Sequence, residues 1–151
     1  MPKVREAIDM KRQQLTIFDV PEPVAASPAS MDFGRQVAHM VSEVLAAADG
    51  DRYEVAAKMS RLVGRDVSKY MLDAWSSESR EGHNVPFYMV PALETACGTH
   101  LFTAWLARKR GGKLLIGKDA LLAELGKMER LRDEASRKIR QLKKVMEDLA
   151  E

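Results

Sequence analysis

The stretch that decides the fold runs from Asp51 to Ser76 and reads DRYEVAAKMSRLVGRDVSKYMLDAWS. In its first half the apolar residues recur at spacings of three and four, which is the period of one face of an α-helix. These residues are Val55, Ala56, Met59, Leu62 and Val63. Asp51 and Glu54 have the spacing of a capping box at the helix start. Gly64 then permits the left-handed backbone that a sharp turn requires.

The residues after Gly64 predict a second helix, with Asp66 as its N-cap. The predicted buried face comprises Val67, Met71, Ala74 and Trp75. The predicted outward face comprises Ser68, Lys69, Leu72, Asp73 and Ser76. Two helices joined by a glycine turn, with basic side chains around the turn, are the arrangement that holds one helix in the DNA major groove. The sequence therefore predicts a helix-turn-helix.

The overall charge is too small to attract nucleic acid by itself, because 24 Lys and Arg oppose 22 Asp and Glu. DNA binding would have to come from local clusters. The candidate DNA-binding residues around the turn are Lys58, Arg61, Arg65, Ser68, Lys69, Asp73, Ser76 and Arg80. A second basic run comprises Arg137, Lys138, Arg140, Lys143 and Lys144. The alternative interpretation of both runs is a solvated helix face.

The rest of the globular region also predicts helices. Asp32 is the expected N-cap of a core helix that ends before Gly50. Pro91 is expected in the first turn of a short helix that ends at Gly98, and Thr99 is expected to cap the next one. No strand is required, although residues 113–116 could form a short one. The predicted fold class is all-α, with a compact helix-turn-helix domain of about five helices spanning residues 32–116.

The last part of the chain, residues 117–151, predicts one long coiled-coil helix for oligomerisation. One seam position is occupied by Leu121, Met128, Ala135, Leu142 and Leu149. The other is occupied by Leu125, Arg132, Ile139 and Met146. These steps of four and three residues are a coiled-coil register. The alternative is a helix that packs against its own domain, but its apolar stripe is narrow and its other faces are charged, which favours self-association.

Residues 1–31 differ from the rest, because they contain four of the six prolines and many small residues. We expect a disordered N-terminal arm. Within it, Gln14, Leu15, Ile17 and Phe18 resemble the short peptide that binds the bacterial sliding clamp, in which two apolar anchors enter a groove and glutamine sets the register. The alternative is a hydrophobic segment that folds back onto the domain.

A family resemblance covers residues 55–112. The features that carry it are Ala56-Ala57-Lys58-Met59, Gly64, Val67-Ser68 through Trp75, the segment Pro91 to Gly98, and Trp105-Leu106-Ala107 before a double glycine. They resemble phage-type regulators of the lambda repressor-like and CII-like class. The resemblance implies that the second helix reads the major groove, that members act as oligomers on operator DNA, and that Arg65 lies near a phosphate. The chain differs from the family pattern at Tyr70 and Asp73, where apolar residues are usual.

Other classes of function find little support in the sequence. The single cysteine, Cys97, excludes an intramolecular disulfide and a cysteine-based zinc site. His39, His83 and His100 are scattered, and no complete phosphate-binding loop occurs, so no catalytic residue, metal or cofactor is expected. No segment has the roughly 18 continuous apolar residues that a membrane span needs, and no secretory signal is recognisable at the N-terminus. We expect a cytoplasmic protein that is not an enzyme.

Three functions are therefore compatible with the sequence. The favoured one is a sequence-specific regulator of a phage or phage-like element that binds double-stranded DNA as an oligomer. The second is a DNA-recognition subunit of a phage assembly, similar to a small terminase. The third is a coiled-coil interaction adaptor in which the helix-turn-helix serves only as scaffold.

Overall fold

The computed structural model describes residues 21–80 and 82–150. These residues form six α-helices and no strand, which confirms the all-α prediction. The helices are α1 (Gly34–Ala47), α2 (Arg52–Val63), α3 (Lys69–Trp75), α4 (Val90–Cys97), α5 (Leu101–Lys109) and α6 (Lys118–Asp148). A short 3-10 helix, Phe87–Met89, leads directly into α4. Residues 113–116 are irregular backbone rather than a strand.

The described chain divides into two compact units. The first contains α1 to α5 and ends at Leu114, and the second begins at Leu115 and contains α6. The first unit has one hydrophobic core to which α1 to α5 all contribute. Its largest fully buried side chains are Met59, Leu72, Met89, Leu93, Val41 and Val55. Val41, Val55 and Met59 show that α1 and α2 bury most of the faces that their periodicity predicts. The prediction is wrong for Leu62, near the end of α2, which is 53% exposed because the buried face of this helix is narrower than its apolar pattern.

Several helix ends follow the local sequence signals. In α2, the Glu54 amide donates to the Asp51 carboxylate and the Asp51 amide donates to the Glu54 carboxylate, both at 2.9 Å, which is the predicted capping box. Gly64 and Gly98 end α2 and α4 in the left-handed conformation, with φ of 70° and 66°. Pro91 lies in the first turn of α4, as predicted.

Two predicted caps are displaced by one residue. The N-cap position of α1 is Phe33, and Asp32 instead accepts a hydrogen bond from the Gly34 amide at 3.3 Å. The N-cap position of α5 is His100, and the Thr99 hydroxyl accepts from the Leu101 amide at 3.2 Å. Both side chains satisfy an amide at the helix start, but they do so from a turn that precedes the cap.

The prediction for α3 is wrong in two respects. Its N-cap is Ser68, whose hydroxyl accepts from the Met71 amide at 3.3 Å, and not Asp66. Leu72, which was expected to point outward, is completely buried, together with Trp75. The helix begins two residues later than a helix capped by Asp66 would, and with only 7 residues its apolar pattern is too short to determine which face is buried.

A buried carboxylate joins α4 to α5. Glu94 is only 5% exposed. Its two oxygens accept hydrogen bonds from the Thr103 amide at 3.0 Å and from the Thr103 hydroxyl at 2.6 Å. A buried charged group requires such partners. The pair therefore fixes the position of α5 against the helix that precedes it.

The segment before α1 contacts the end of α5 and then forms a turn at residues 28–31. The Val24 amide donates to the Lys109 carbonyl at the end of α5, at 3.0 Å. Gly111 has φ of 77°, and a side chain there would collide with Pro23, so glycine allows this close approach. Part of the predicted arm, residues 21–31, is thus placed beside α5. The candidate clamp-binding residues, Gln14 to Phe18, lie outside the described residues.

The second unit consists essentially of α6, a continuous helix of 31 residues. None of its residues is buried, and its apolar side chains are all exposed by half or more. They are Leu121, Leu122, Leu125, Met128, Leu131, Ile139, Leu142, Val145 and Met146, with Leu149 at the end. Gly126 is accommodated within the helix. An apolar stripe of this length without a covering surface is unusual in a protein that acts alone.

Candidate nucleic-acid interface

The turn between α2 and α3 is fixed by Ser60. The Ser60 hydroxyl accepts a hydrogen bond from the Val67 amide at 2.8 Å and lies 2.9 Å from the Ala56 carbonyl in its own helix. Val67 is itself buried in the core, so the backbone on the far side of the turn is held by both a polar and an apolar contact. These contacts therefore fix the turn that joins α2 to α3.

A cluster of charged residues connects the two helices at their other ends. Asp73 of α3 accepts a hydrogen bond from the guanidinium of Arg52 at 2.6 Å and one from the ammonium of Lys69 at 2.6 Å. The same Arg52 nitrogen lies 3.0 Å from the Ser76 hydroxyl, which in turn donates to the Asp73 carbonyl at 3.2 Å. About a third of each of the three charged side chains is exposed. We call Arg52, Lys69, Asp73 and Ser76 the Asp73 cluster.

The hydrogen bonds of the cluster shift the pKa values of Asp73 and Lys69. Hydrogen bonds from Lys69 and then from Arg52 lower the pKa of Asp73 below its ordinary value. The hydrogen bond to Asp73 raises the pKa of Lys69. Both shifts favour the charged forms. At neutral pH the cluster consequently holds two cations and one anion, with a net charge of +1.

Two cations lie over tyrosine rings, namely Lys69 of the Asp73 cluster and Arg65. The Lys69 ammonium is 5.7 Å from the centre of the Tyr53 ring, and the Arg65 guanidinium is 5.0 Å from the centre of the Tyr88 ring. Both distances are within the range of cation–π attraction. Tyr53 and Tyr88 are each about two-thirds exposed. The cations therefore remain accessible from solvent while their side chains are held in place.

The outward side of α3 carries Lys69, Tyr70 and Asp73. These residues lie within about 100° of arc around the helix axis, at 100° per residue. Tyr70 is 81% exposed and contributes nothing to the core. The core positions of α3 are taken by Leu72 and Trp75 instead.

Three of the predicted DNA-binding residues are not gathered at α3. The Lys58 ammonium is directed towards the Asp49 carbonyl, 3.3 Å away, in the loop between α1 and α2. The Arg61 guanidinium lies 3.4 Å from the Ala57 carbonyl of its own helix. Arg80 lies in the loop after α3. Of the eight candidates, the structure brings Lys69, Asp73 and Ser76 into direct contact, uses Ser68 as the N-cap of α3, and places Arg65 against Tyr88.

Arg80 lines a separate polar cleft of about 400 Å³ between the start of α1 and the loop after α3. The cleft also includes Asp32, Glu78 and Asn84. His39 connects the same region, with Glu43 at 3.4 Å and Glu78 at 3.0 Å from its ring nitrogens. Because acidic and basic groups are mixed here, the cleft offers no uniform attraction for a phosphate.

We call the surface formed by the Asp73 cluster, Tyr53, Arg65, Tyr70 and the adjoining Tyr88 the α2–α3 surface. The sequence did not predict four of its side chains, namely Arg52, Tyr53, Tyr70 and Tyr88. Arg52 is 21 residues from Asp73, and no periodic pattern connects them. Tyr70 carried a signal, because a tyrosine in place of the expected apolar residue is typical of an outward position. The contacts of Tyr53 and Tyr88 with basic side chains depend on the tertiary structure.

The metal-ligating residue types of the described chain are not grouped together. No group of three or more His, Cys, Asp or Glu side chains within residues 21–80 and 82–150 could hold a metal ion. Burial raises the pKa of the Cys97 thiol, which makes it less nucleophilic. Within the part of the chain that the structure describes, no helix has the length and apolar character needed to cross a membrane.

No protein-family model, curated protein or solved structure matches this chain. The features from which a function can be inferred are the chemistry of the α2–α3 surface and the exposed stripe of α6.

Proposed function

We propose that this chain is a sequence-specific, double-stranded DNA-binding transcriptional regulator of a phage or phage-like element, and that it acts as an oligomer through α6. The observation that carries the proposal is the pair α2 and α3, fixed at the turn by Ser60. On the outer side of α3, Tyr70 is 81% exposed, and Lys69 and Asp73 contact the rest of the unit through the Asp73 cluster and the Tyr53 ring. Helix-turn-helix proteins place this side of the second helix in the major groove.

The charges on this surface suit a duplex. Arg65 lies at the turn, next to the start of α3, where the backbone of a docked duplex would pass. Lys69 and Arg52 exceed the single negative charge of Asp73. Cations that neutralise phosphates supply most of the sequence-independent affinity for DNA. The α2–α3 surface can therefore attract the duplex even though the whole chain is almost neutral.

Asp73 has a second use at such an interface. Its carboxylate offsets one of the two positive charges of Lys69 and Arg52, so it limits their attraction for phosphates, which carry no sequence information. A carboxylate in the major groove can also accept a hydrogen bond from the amino group of cytosine. The adjacent Tyr70 offers a hydroxyl and an exposed ring beside it. We therefore assign base contacts to Tyr70 and Asp73, and phosphate contacts to Arg65 and Lys69.

The test compares charge removal on and off this surface. Lys69→Ala and Arg65→Ala should each weaken binding to duplex DNA and lower the slope of log affinity against log salt by about 0.9. Lys58→Ala is the matched control, since it removes the same charge from a side chain that is directed at Asp49. Affinities of the three variants and the parent at several salt concentrations measure the effect. Equal losses of duplex affinity in all three variants would mean that only the overall positive charge matters. That result would contradict the assignment of phosphate contacts to Arg65 and Lys69.

The oligomeric part of the proposal is supported by the exposed apolar stripe of α6. Burial of such side chains between helices stabilises by roughly 25 cal/mol for each Å² of apolar surface removed from water. The heptad spacing of the stripe is that of a helix which pairs with another helix. A regulator with two copies of α3 can contact two half-sites of an operator, which raises both affinity and specificity.

An interaction adaptor remains a second candidate function, and the Asp73 cluster is the observation that favours it. If Asp73 only neutralises Lys69 and Arg52 to stabilise the first unit, the α2–α3 surface is structural and α6 carries the function. The two candidates differ in the binding experiment, because an adaptor would show no loss of duplex affinity in Lys69→Ala or Arg65→Ala.

A further inference from the structure

The orientation of α6 in a pair can be inferred from its charges, and this inference rests on the self-association in the proposed function. In heptad notation, position a is occupied by Leu125, Arg132, Ile139 and Met146, and position d by Leu121, Met128, Ala135, Leu142 and Leu149. The e and g residues beside this seam set the partner and the orientation. In α6 these flanking residues are Leu122, Glu124, Glu129, Leu131, Ser136, Lys138, Lys143 and Val145.

A parallel pair in register would bring like charges together. The two Arg132 side chains would face each other in the apolar seam, because position a faces position a in a parallel pair. Each g residue would lie near the e residue five positions later in the other helix. Glu124 would then meet Glu129, and Lys138 would meet Lys143, on both sides of the seam. Like charges at these positions disfavour the arrangement.

An antiparallel pair removes all of these conflicts. Two helices of 31 residues overlap almost completely when Lys118 of one lies opposite Leu149, the C-cap residue, of the other. Position a then faces position d. The facing residues become Leu121 with Met146, Leu125 with Leu142, Met128 with Ile139, and Arg132 with Ala135. The only charged residue of the seam thus lies opposite the smallest one, where its long side chain has room to reach the edge of the seam.

The flanks fit the same register. In an antiparallel pair, g residues face g residues and e residues face e residues, so Leu131 lies beside Lys138 and Leu122 beside Lys143 of the other helix. The remaining flanking pairs are Glu124 with Val145 and Glu129 with Ser136. No like charges meet. The aliphatic part of a lysine side chain covers an apolar neighbour well, which accounts for the apolar residues at the flanks.

We propose that α6 pairs with α6 of a second copy of this chain in antiparallel orientation, with Arg132 of each helix over Ala135 of the other. The occupant of the exposed stripe is a second copy because the stripe is complementary to itself when reversed: apolar meets apolar along its length, and its one charge meets its one small residue. A rise of about 1.5 Å per residue then places the two Gly117 residues, where each α6 begins, at opposite ends of a rod of about 46 Å.

Spin labels on the full chain test the orientation. Cys97→Ala removes the native thiol, and Ala120→Cys provides a label near the start of α6 on its exposed side. Across an antiparallel pair, the two labels should be about 40 Å apart, because residue 120 lies opposite residue 147 of the other helix. A parallel pair would place them within about 20 Å, which is the width of two helices.

A second label near the middle of the helix, Glu134→Cys, is the control. Its two copies lie within about 20 Å of each other in either orientation of a full-length pair, so a short distance there shows that the pair has formed. A long distance at residue 120 with a short one at residue 134 supports the proposal. Short distances at both positions mean a parallel pair and overturn it, and so does the absence of dipolar coupling at both, which means a monomer.

The same labelled proteins separate this inference from the proposed function. A parallel pair that still binds duplex DNA with the salt dependence of the parent would refute the orientation and leave the regulator intact. An antiparallel pair that does not bind duplex DNA would establish the orientation and refute the regulator.

Discussion

Asp73 distinguishes the two possible roles of α3, which are contact with DNA and stabilisation of the first unit. It accepts hydrogen bonds from two cations that a duplex would also attract. Asp73→Asn removes the negative charge and releases Lys69 and Arg52 for phosphates. We expect tighter binding to duplex DNA of random sequence and a salt slope larger by about 0.9 for each cation that gains a phosphate contact.

The control for this variant is Asp49→Asn, which changes an exposed carboxylate in the loop before α2. It should alter affinity much less than Asp73→Asn. Weaker binding by Asp73→Asn to random duplexes would contradict the account, because the carboxylate would then be needed for phosphate contacts rather than opposed to them.

Asp73 should also make the stability of the first unit depend on pH. Its folded-state pKa is lowered by Lys69 and Arg52, so the stabilisation is complete above the ordinary Asp pKa of about 3.9 and is lost as the pH falls through the folded value. Urea unfolding of the parent and of Asp73→Asn should therefore show a less stable variant at pH 7 and a smaller difference near pH 3. A difference that is the same at both pH values would mean that the ion pairs do not stabilise the fold.

At the scale of the element, the phase of α3 can be tested by two substitutions. Leu72 is completely buried and Tyr70 is 81% exposed. Leu72→Ala should lower the free energy of unfolding by about 2 to 5 kcal/mol, because it leaves a cavity in the core. Tyr70→Ala, as the matched surface change, should alter it by no more than about 0.5 kcal/mol. Chemical denaturation measures both, and a larger loss for Tyr70→Ala would place α3 in the opposite phase.

For α6, the seam residue Arg132 is the most informative position. It is exposed and bonded only to its neighbour Asp133, at 3.1 Å, in the described chain. Arg132→Leu replaces a charge by an apolar side chain opposite Ala135, so we expect a more stable pair and a lower dissociation constant. Sedimentation equilibrium measures this change, with Arg130→Leu, on the outer side of the helix, as the control. Equal effects of both variants would mean that Arg132 does not lie in the interface.

Local features of these helices could be predicted from the sequence, whereas their tertiary contacts could not. The capping box of α2, the turn at Gly64 and the proline at the start of α4 depend only on residues a few positions apart. The phase of α3 depends on which of several apolar residues reaches the core. A helix of 7 residues makes only two turns, and its periodicity is too short to choose between Leu72 and Met71.

In the candidate site, too, the local features could be predicted from the sequence and the tertiary contacts could not. Basic residues near the turn were visible as a cluster in the sequence, yet Lys58 and Arg61 contact backbone carbonyls elsewhere on or beside α2. The contact of Arg52 with Asp73 joins two helices and has no signature in either one. The long heptad pattern of α6 was the more reliable signal, because it extends over many turns and one misplaced residue does not change its phase.

In the proposed function, the two units of the molecule have different roles. The first presents α3 to a duplex, and the second joins two copies of the chain. In the antiparallel arrangement the two copies of Gly117 are held apart by the full length of α6, and residues 115–117 connect each first unit to it. The operator would then consist of two half-sites whose separation is set by the pair and not by a single unit.

We propose that the outer side of α3 is the surface that contacts DNA. Backbone amide NMR shifts of the full chain, recorded with and without a short duplex of random sequence at low salt, test it most directly. We predict that the shifts that change are concentrated at Arg65 to Asp73 and around Tyr53 and Tyr88. Changes confined to α6, or no changes at a duplex concentration that saturates binding, would contradict the claim.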